Sequence, residues 1–167
     1  MTLDEAKQEF IQSWGVLGSS WGINKTMAQI HALLLIATEP QSTEEIMSAL
    51  HISRGNANMN IRALIDWGIV SKTFKAGERK EFFIAEKDIW ETAKQVVIER
   101  RKRELEPLLK ALKQVNDLDD NTSEEAKEFK KITHQISNVA QKTDAMLTRL
   151  VKADQHWFVG SLFKFMK

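Results

Sequence analysis

The sequence predicts a mainly α-helical fold that carries one small antiparallel β-hairpin. Three observations predict it. Apolar residues recur at three- and four-residue steps over most of the 167 residues. Ser/Thr-x-x-Glu patterns at Thr2/Glu5, Ser42/Glu45 and Thr122/Glu125 mark helix starts, because each can satisfy the unpaired N–H groups of a first turn. Only residues 69–85 hold short β-prone runs, and a glycine turn splits them.

Composition narrows the function classes. Hydrophobic residues make up 43% and charged residues 28%, which is ordinary for a globular chain. There is no cysteine, which excludes disulfides, Cys-based zinc sites and thiol catalysis and fits a reducing cytoplasm. Met1 is followed by Asp4, Glu5 and Lys7, so no signal peptide is expected. No apolar run approaches the ~20 residues of a membrane span, so no membrane partner is expected. The four histidines and the scattered carboxylates show no ligand spacing and no nucleophile–base pair. No metal, no cofactor and no enzymatic activity are therefore expected. Net charge is +1, but it is unevenly placed: residues 51–80 sum to +4 and the remainder to −3. Any nucleic-acid contact must use that local charge.

Leu3, Ala6, Phe10, Trp14 and Leu17 predict an amphipathic helix over residues 3–18, with Gly15, Gly18 and Gly22 loosening its end. The Asn24-Lys25-Thr26 run is not a phosphate loop, because glycine does not precede the lysine and no strand precedes the loop. Asn24 caps a second helix whose inner face is Met27, Ile30, Leu33, Leu34 and Ala37. Residues 32–37 are apolar almost all round, so this helix should be central. His31 reads as a core histidine. Pro40 ends the helix.

Ser42 starts a short helix with Ile46, Ala49 and Leu50 facing in, and His51-Ile52 turns the chain. Ser53 caps the next helix. Ala57, Ile61, Leu64 and Ile65 face its core. Arg54, Asn56, Asn58, Met59 and Arg62 occupy the opposite face, with Asn60 toward the edge, and Gly68 stops the helix. Residues 69–74 and 80–85 are strands, joined at Ala76-Gly77-Glu78. Two helices joined by a turn and followed by a hairpin make a winged helix-turn-helix.

Asp88 caps a long helix, on which Trp90, Ala93, Val97, Arg101, Leu105, Leu108, Leu112 and Val115 share a face. Its E-R-R-K-R-E run, residues 99–104, reads as a solvated face with internal ion pairs. Pro107 predicts a kink. Thr122 opens the last helix, to about Lys152. Phe129, Ile132, Ile136, Val139, Met146 and Leu150 take heptad a/d positions there, with Thr143 the polar break, so the stripe should meet a partner helix. Trp157 to Met166 is aromatic-rich and is expected in a subunit interface. The expected layout is an N-terminal helix over 1–23 that supports dimerisation, a DNA-binding domain over 24–87, and a helical dimerisation region over 88–167.

The residue types on the second short helix are those that read base edges. Arg suits guanine, Asn suits adenine, and Met59 suits a thymine methyl. Asn56, Asn58, Met59 and Arg62 are the candidate base readers, with Arg54 at a base or a phosphate and Asn60 a further candidate DNA contact. Ser42, Thr43 and Ser53 stand at helix N-termini suited to phosphates. Lys72, Lys75, Arg79 and Lys80 charge the wing. Trp14, Trp21, Trp67 and Trp90 are candidates for an aromatic cage around a small cationic effector, against the plainer reading that they anchor the core. The alternative function is a winged-helix protein-interaction module that does not bind specific DNA.

Three stretches resemble the GbsR branch of the MarR-like regulators: Trp21 to Ile36 (WGINKTMAQIHALLLI), Leu50 to Val70 (LHISRGNANMNIRALIDWGIV) and Gly77 to Phe83 (GERKEFF). The likeness covers residues 10 to about 115, and the last third matches only in being helical. It implies a homodimeric, sequence-specific transcription factor, usually a repressor. One helix from each chain would lie in successive major grooves of a pseudo-palindromic operator, and the wing would approach the minor groove. Members of the wider class often bind small molecules. Many such wings carry acid-x-Arg at the tip. Here Glu78 directly precedes Arg79, so either Arg79 or Lys80 is assigned the minor-groove role.

Overall fold

The computed structural model describes residues 1–117 and 122–153. The aromatic-rich segment over 157–166 lies outside the described residues. The chain divides into two compact units, residues 1–92 and 93–167.

The first unit holds α1 (Leu3–Ser20), α2 (Lys25–Ile36), β1 (Gln41–Ser42), α3 (Thr43–Leu50), α4 (Arg54–Asp66), β2 (Val70–Thr73) and β3 (Phe82–Ala85). Thr2 and Ser42 each complete the reciprocal capping box with Glu5 and Glu45. Asn24 and Ser53 cap α2 and α4 by accepting from the N–H groups of Met27 and Asn56. The central helix is α2, which packs on α1, α3, α4 and β3. Half of its length is buried: Met27, Ala28, Ile30, His31, Ala32 and Leu34.

α1 buries a different face from the one its large apolar residues suggest. Ile11, Gly15 and Gly18 face α2, while Leu3 and Leu17 are exposed. Nor do the glycines loosen the helix. Gly18 lets the two helices approach closely, because a Cβ there would lie 2.6 Å from the Ala28 Cβ, and Gly15 makes room for the Gln29 side chain. In α3 only Ile46 is fully buried, and Ala49 is exposed. His51 ends α3 in a left-handed conformation, φ 52°. α4 buries Ala57, Ile61 and Leu64 as the spacing predicts. It ends with Gly68 at φ 71°, where Gly68 N–H donates to Ile65 O and Ile69 N–H to Leu64 O. That paired closure needs a positive φ at Gly68.

The wing is part of a three-stranded antiparallel sheet, ordered β1-β3-β2, not a lone hairpin. β3 is the centre strand: Ser42 pairs with Phe82, and Val70 pairs with Ala85. β1 is only two residues long, too short for alternation to reveal it.

α5 (Ile89–Arg100) begins at Asp88, whose carboxylate accepts from the N–H groups of Trp90 and Glu91. The second unit continues through a π-helical turn (Arg101–Leu105) into α6 (Glu106–Asn116) and α7 (Glu124–Lys152). The predicted break at Pro107 takes the form of this widened turn, in which Glu106 N–H donates to Arg101 O. Pro107 has no N–H for the Arg103 carbonyl, so the regular ladder cannot run through. Ser123, not Thr122, caps α7, accepting from Ala126 N–H at 3.1 Å. The expected capping box therefore gives way to a single-sided cap one residue later. α7 buries the heptad-spaced Ala126, Thr133 and Ala140, while Phe129, Ile132, Ile136, Val139 and Met146 are exposed. The charged run pairs internally as expected, Arg100 with Glu104 and Arg103 with Glu99. Arg101 instead holds Asp144 of α7 through two bonds of 2.6 and 3.2 Å.

Candidate nucleic-acid interface

The exposed side of α4 carries Arg54, Asn58, Met59 and Arg62, with Met59 62% exposed. Arg62 and Asn58 have no hydrogen bond or ion pair among the described residues, so their donors and acceptors are unspent. Arg54 crosses to Glu44 at 2.7 Å, joining the first turns of α3 and α4. Its partner's carboxyl sits below the usual range, first because a backbone N–H at the start of α3 favours the anion and then because of Arg54. Asn56 is half-buried.

Two expected contacts take other roles. Asn60 is 3% exposed and bonds to Asn56, so it does not present itself to a ligand. Ser42 is wholly buried, and its hydroxyl donates to Glu45 Oε2 at 2.6 Å. Those bonds to Ser42 hold the Glu45 carboxyl below its normal range. Ser42 therefore builds the helix start without reaching a phosphate. Thr43 is half-buried, while Ser53 is exposed at the α4 N-terminus.

On the wing, Lys72 pairs with Glu81 at 2.7 Å and Lys80 with Glu78 at 3.3 Å. Lys75 lies 4.4 Å and Lys80 5.2 Å from the centre of the Phe82 ring. Phe82 is the deeply buried centre-strand residue, so the sheet core orients two wing cations from beneath. The tip turns at Gly77, φ 82°, where Glu78 N–H donates to Lys75 O. Arg79 follows it, exposed and with no ion pair among the described residues.

These parts enclose a cleft of about 550 Å³ between the starts of α3 and α4 and the wing. Arg54, Asn58, Arg62, Lys72, Arg79 and Lys80 line it. Five of those six are cations that lie far apart in sequence. The cleft also contains Glu44 and Glu81, each already holding one of the cations.

The four candidate tryptophans differ in burial. Trp14 packs on Phe10 at 5.5 Å and on His31 at 6.2 Å between ring centres. Trp21 is exposed at the end of α1, whereas Trp67 is buried at the end of α4 and Trp90 is half-buried in α5. Sequence periodicity did not reveal the separate groove in the second unit, about 360 Å³, lined by Val97, Leu105, Leu108, Thr143 and Leu147. Its apolar residues come from both sides of Pro107 (Val97, Leu105 and Leu108) and from α7 (Leu147).

No family model matches the chain. Relatives do. It is 26% identical to the HTH-type transcriptional repressor GbsR of Bacillus subtilis over 98% of this chain and 92% of that one. It is 32% identical to the regulator MmpR5 of Mycobacterium tuberculosis over 45% of this chain. It is also 22% identical to the regulator YvaV of B. subtilis over 54% of this chain. The chain spans about half the length of the latter two, 46% and 51%. A solved structure described as a transcriptional regulator superposes with a TM-score of 0.58 at 21% identity, covering 89% of this chain and 99% of that one.

The fold is that of a winged helix-turn-helix transcriptional regulator, and the chain's curated relatives are HTH-type transcriptional regulators and repressors, a DNA-binding and non-enzymatic class. Within that class, similarity to the GbsR repressor runs along nearly the whole chain.

Proposed function

We propose that the protein is a cytoplasmic, homodimeric repressor that binds a pseudo-palindromic operator and responds to a small molecule. The observation that carries the DNA part is the cationic cleft of about 550 Å³ beside the open face of α4. The α4 face enters the major groove, where Asn56, Asn58, Met59 and Arg62 face base edges. Arg54, Lys72, Lys75, Arg79 and Lys80 neutralise phosphates or enter the minor groove. Two such cationic clefts related by a two-fold axis fit half-sites roughly 34–36 Å apart.

Dimerisation is supported by apolar surface left uncovered within each unit. Val139 and Met146 on α7 are 66% and 71% exposed, and the stripe continues through Phe129, Ile132 and Ile136. The 29 residues of α7 extend ~44 Å at the usual helical rise. A stripe of that length meets a second helix more readily than solvent. On α1, Leu3, Val16 and Leu17 are uncovered too. The apolar groove in the second unit is a better match for the effector site than Trp14, Trp21, Trp67 and Trp90, because it is a concave space of about 360 Å³, whereas Trp67 is buried and Trp21 open to solvent.

A gel-shift series with the DNA upstream of the protein's own gene, across salt concentrations, tests the reading. Retarded complexes whose affinity falls linearly on a log–log salt plot support it. Absent or salt-insensitive binding favours the protein-interaction module.

A further inference from the structure

α4 has one buried polar side chain, Asn60, on the same face as Ile61 and Leu64. Its Nδ2 lies 2.9 Å from the Asn56 carbonyl oxygen and 2.7 Å from the Asn56 side-chain amide. These two distances settle the orientation of both amides. A backbone carbonyl only accepts, so the Asn60 atom facing it is the NH2 group. That same NH2 reaches the Asn56 side chain, and two NH2 groups cannot bond to each other. The Asn56 atom facing inward is therefore Oδ1, and its own Nδ2 is left on the outer side.

We infer that Asn60 is a positioning residue that sets which atom of Asn56 faces DNA, so that Asn56 turns its NH2 to a base acceptor and does not make the two-bond pair specific for adenine. The inference rests on the DNA-reading proposal above. Pairing with adenine needs an amide that offers an acceptor and a donor side by side. Asn56 has its acceptor turned toward Asn60, with one lone pair already committed there, and presents its NH2 outward. The major-groove acceptors that suit it are N7 of either purine, O6 of guanine and O4 of thymine, so it does not single out adenine. Asn58, two residues on, is exposed with no hydrogen bond among the described residues. It keeps both amide atoms, so adenine reading passes to Asn58. Asn56 lies in the first turn of α4, and the N-terminal residues of such a helix are those that meet base edges. Holding its amide in advance also lowers the ordering cost at binding.

Selection from a randomised duplex library, run on the full chain and on Asn56→Ala, Asn58→Ala and Asn60→Leu, tests this. Leucine resembles asparagine in shape and removes the donor. The wild-type protein is expected to enrich a two-fold motif. Asn56→Ala should lose preference at a guanine or thymine in each half-site, and Asn58→Ala at an adenine. Asn60→Leu should weaken the same guanine or thymine preference by roughly tenfold, the scale of one base contact, with the salt slope unchanged. A purely structural role for Asn60 would lower affinity for all sequences alike. A preference for adenine over guanine at the Asn56-dependent position, or an unchanged preference in Asn60→Leu, overturns the inference while the DNA reading stands. A wild-type chain that enriches nothing overturns both. Should Asn60→Leu not fold, side-chain amide exchange in the free wild-type protein decides. Asn60 Nδ2 protons slower than those of Asn58 support the clamp, and equal rates overturn it.

Discussion

A Cβ built on Gly18 would stand 2.6 Å from the Cβ of Ala28, so α1 and α2 cross almost backbone to backbone at that point. Neither neighbour has a flexible end that can swing aside. Gly18→Ala is therefore predicted to destabilise the protein by about 1–2 kcal/mol, overlap outweighing the gain in helix propensity. Gly55 in α4 meets nothing within 4 Å. Gly55→Ala should instead stabilise by up to about 1 kcal/mol. Urea unfolding of the two variants at equal protein concentration checks both signs.

His31 and Lys87 give the fold a defined acid sensitivity. His31 is 4% exposed, and burial lowers its pKa from 6.5 to about 4, with the Lys87 charge pushing the same way. Between those values the unfolded chain holds a proton that the folded chain does not. Stability is thus full above about pH 6.5 and declines as pH falls toward 4, by about 3 kcal/mol from this residue. His31→Leu should flatten that part of the stability–pH curve, as read by thermal melts between pH 4 and 7.

Lys87 also closes α2. Its ammonium donates to the carbonyl oxygens of Leu34, Leu35 and Ala37 at 2.7–2.8 Å. Lys87→Met should cost about 1–2 kcal/mol by freeing those acceptors. It should also raise the His31 pKa, because one of the two influences that lower it is removed. Histidine chemical shifts followed through a pH titration measure the second effect independently of stability.

The uncovered α7 stripe predicts how the chain self-associates. Val139→Glu and Met146→Glu place charge where 66% and 71% of the side chain is open within one chain. A single chain should tolerate them with little loss of helix, while a dimer should separate. Sedimentation at micromolar concentration is expected to show a dimer for the wild type and monomer for the double variant.

Most of the reading face was visible in the sequence, because α4 obeys a simple period: Ala57, Ile61 and Leu64 in, Arg54, Asn58, Met59 and Arg62 out. Its buried polar member was not, since Asn60 is satisfied by Asn56 one turn back and a hydropathy pattern prices it as surface. α1 was misread for the converse reason. Glycine has no hydrophobic weight, yet Gly15 and Gly18 are buried against α2 while Leu17 is exposed. β1 escaped notice because Ser42 reads first as a cap and only pairing with Phe82 makes it a strand. The cleft joins Arg54 to Arg79 through tertiary structure, which no local spacing records.

The central claim, that the cleft beside α4 holds DNA, is tested most directly by duplex affinity against salt for the wild type, Arg62→Ala and Arg79→Gln, with preferred and scrambled sequences. Arg79 is the exposed wing cation without an ion pair among the described residues, so its loss is predicted to weaken both duplexes alike and to reduce the salt slope by about one. Arg62→Ala should cost about 1–3 kcal/mol on the preferred duplex and far less on the scrambled one. Equal, salt-independent affinity for all three proteins, or no duplex binding at all, would contradict the account.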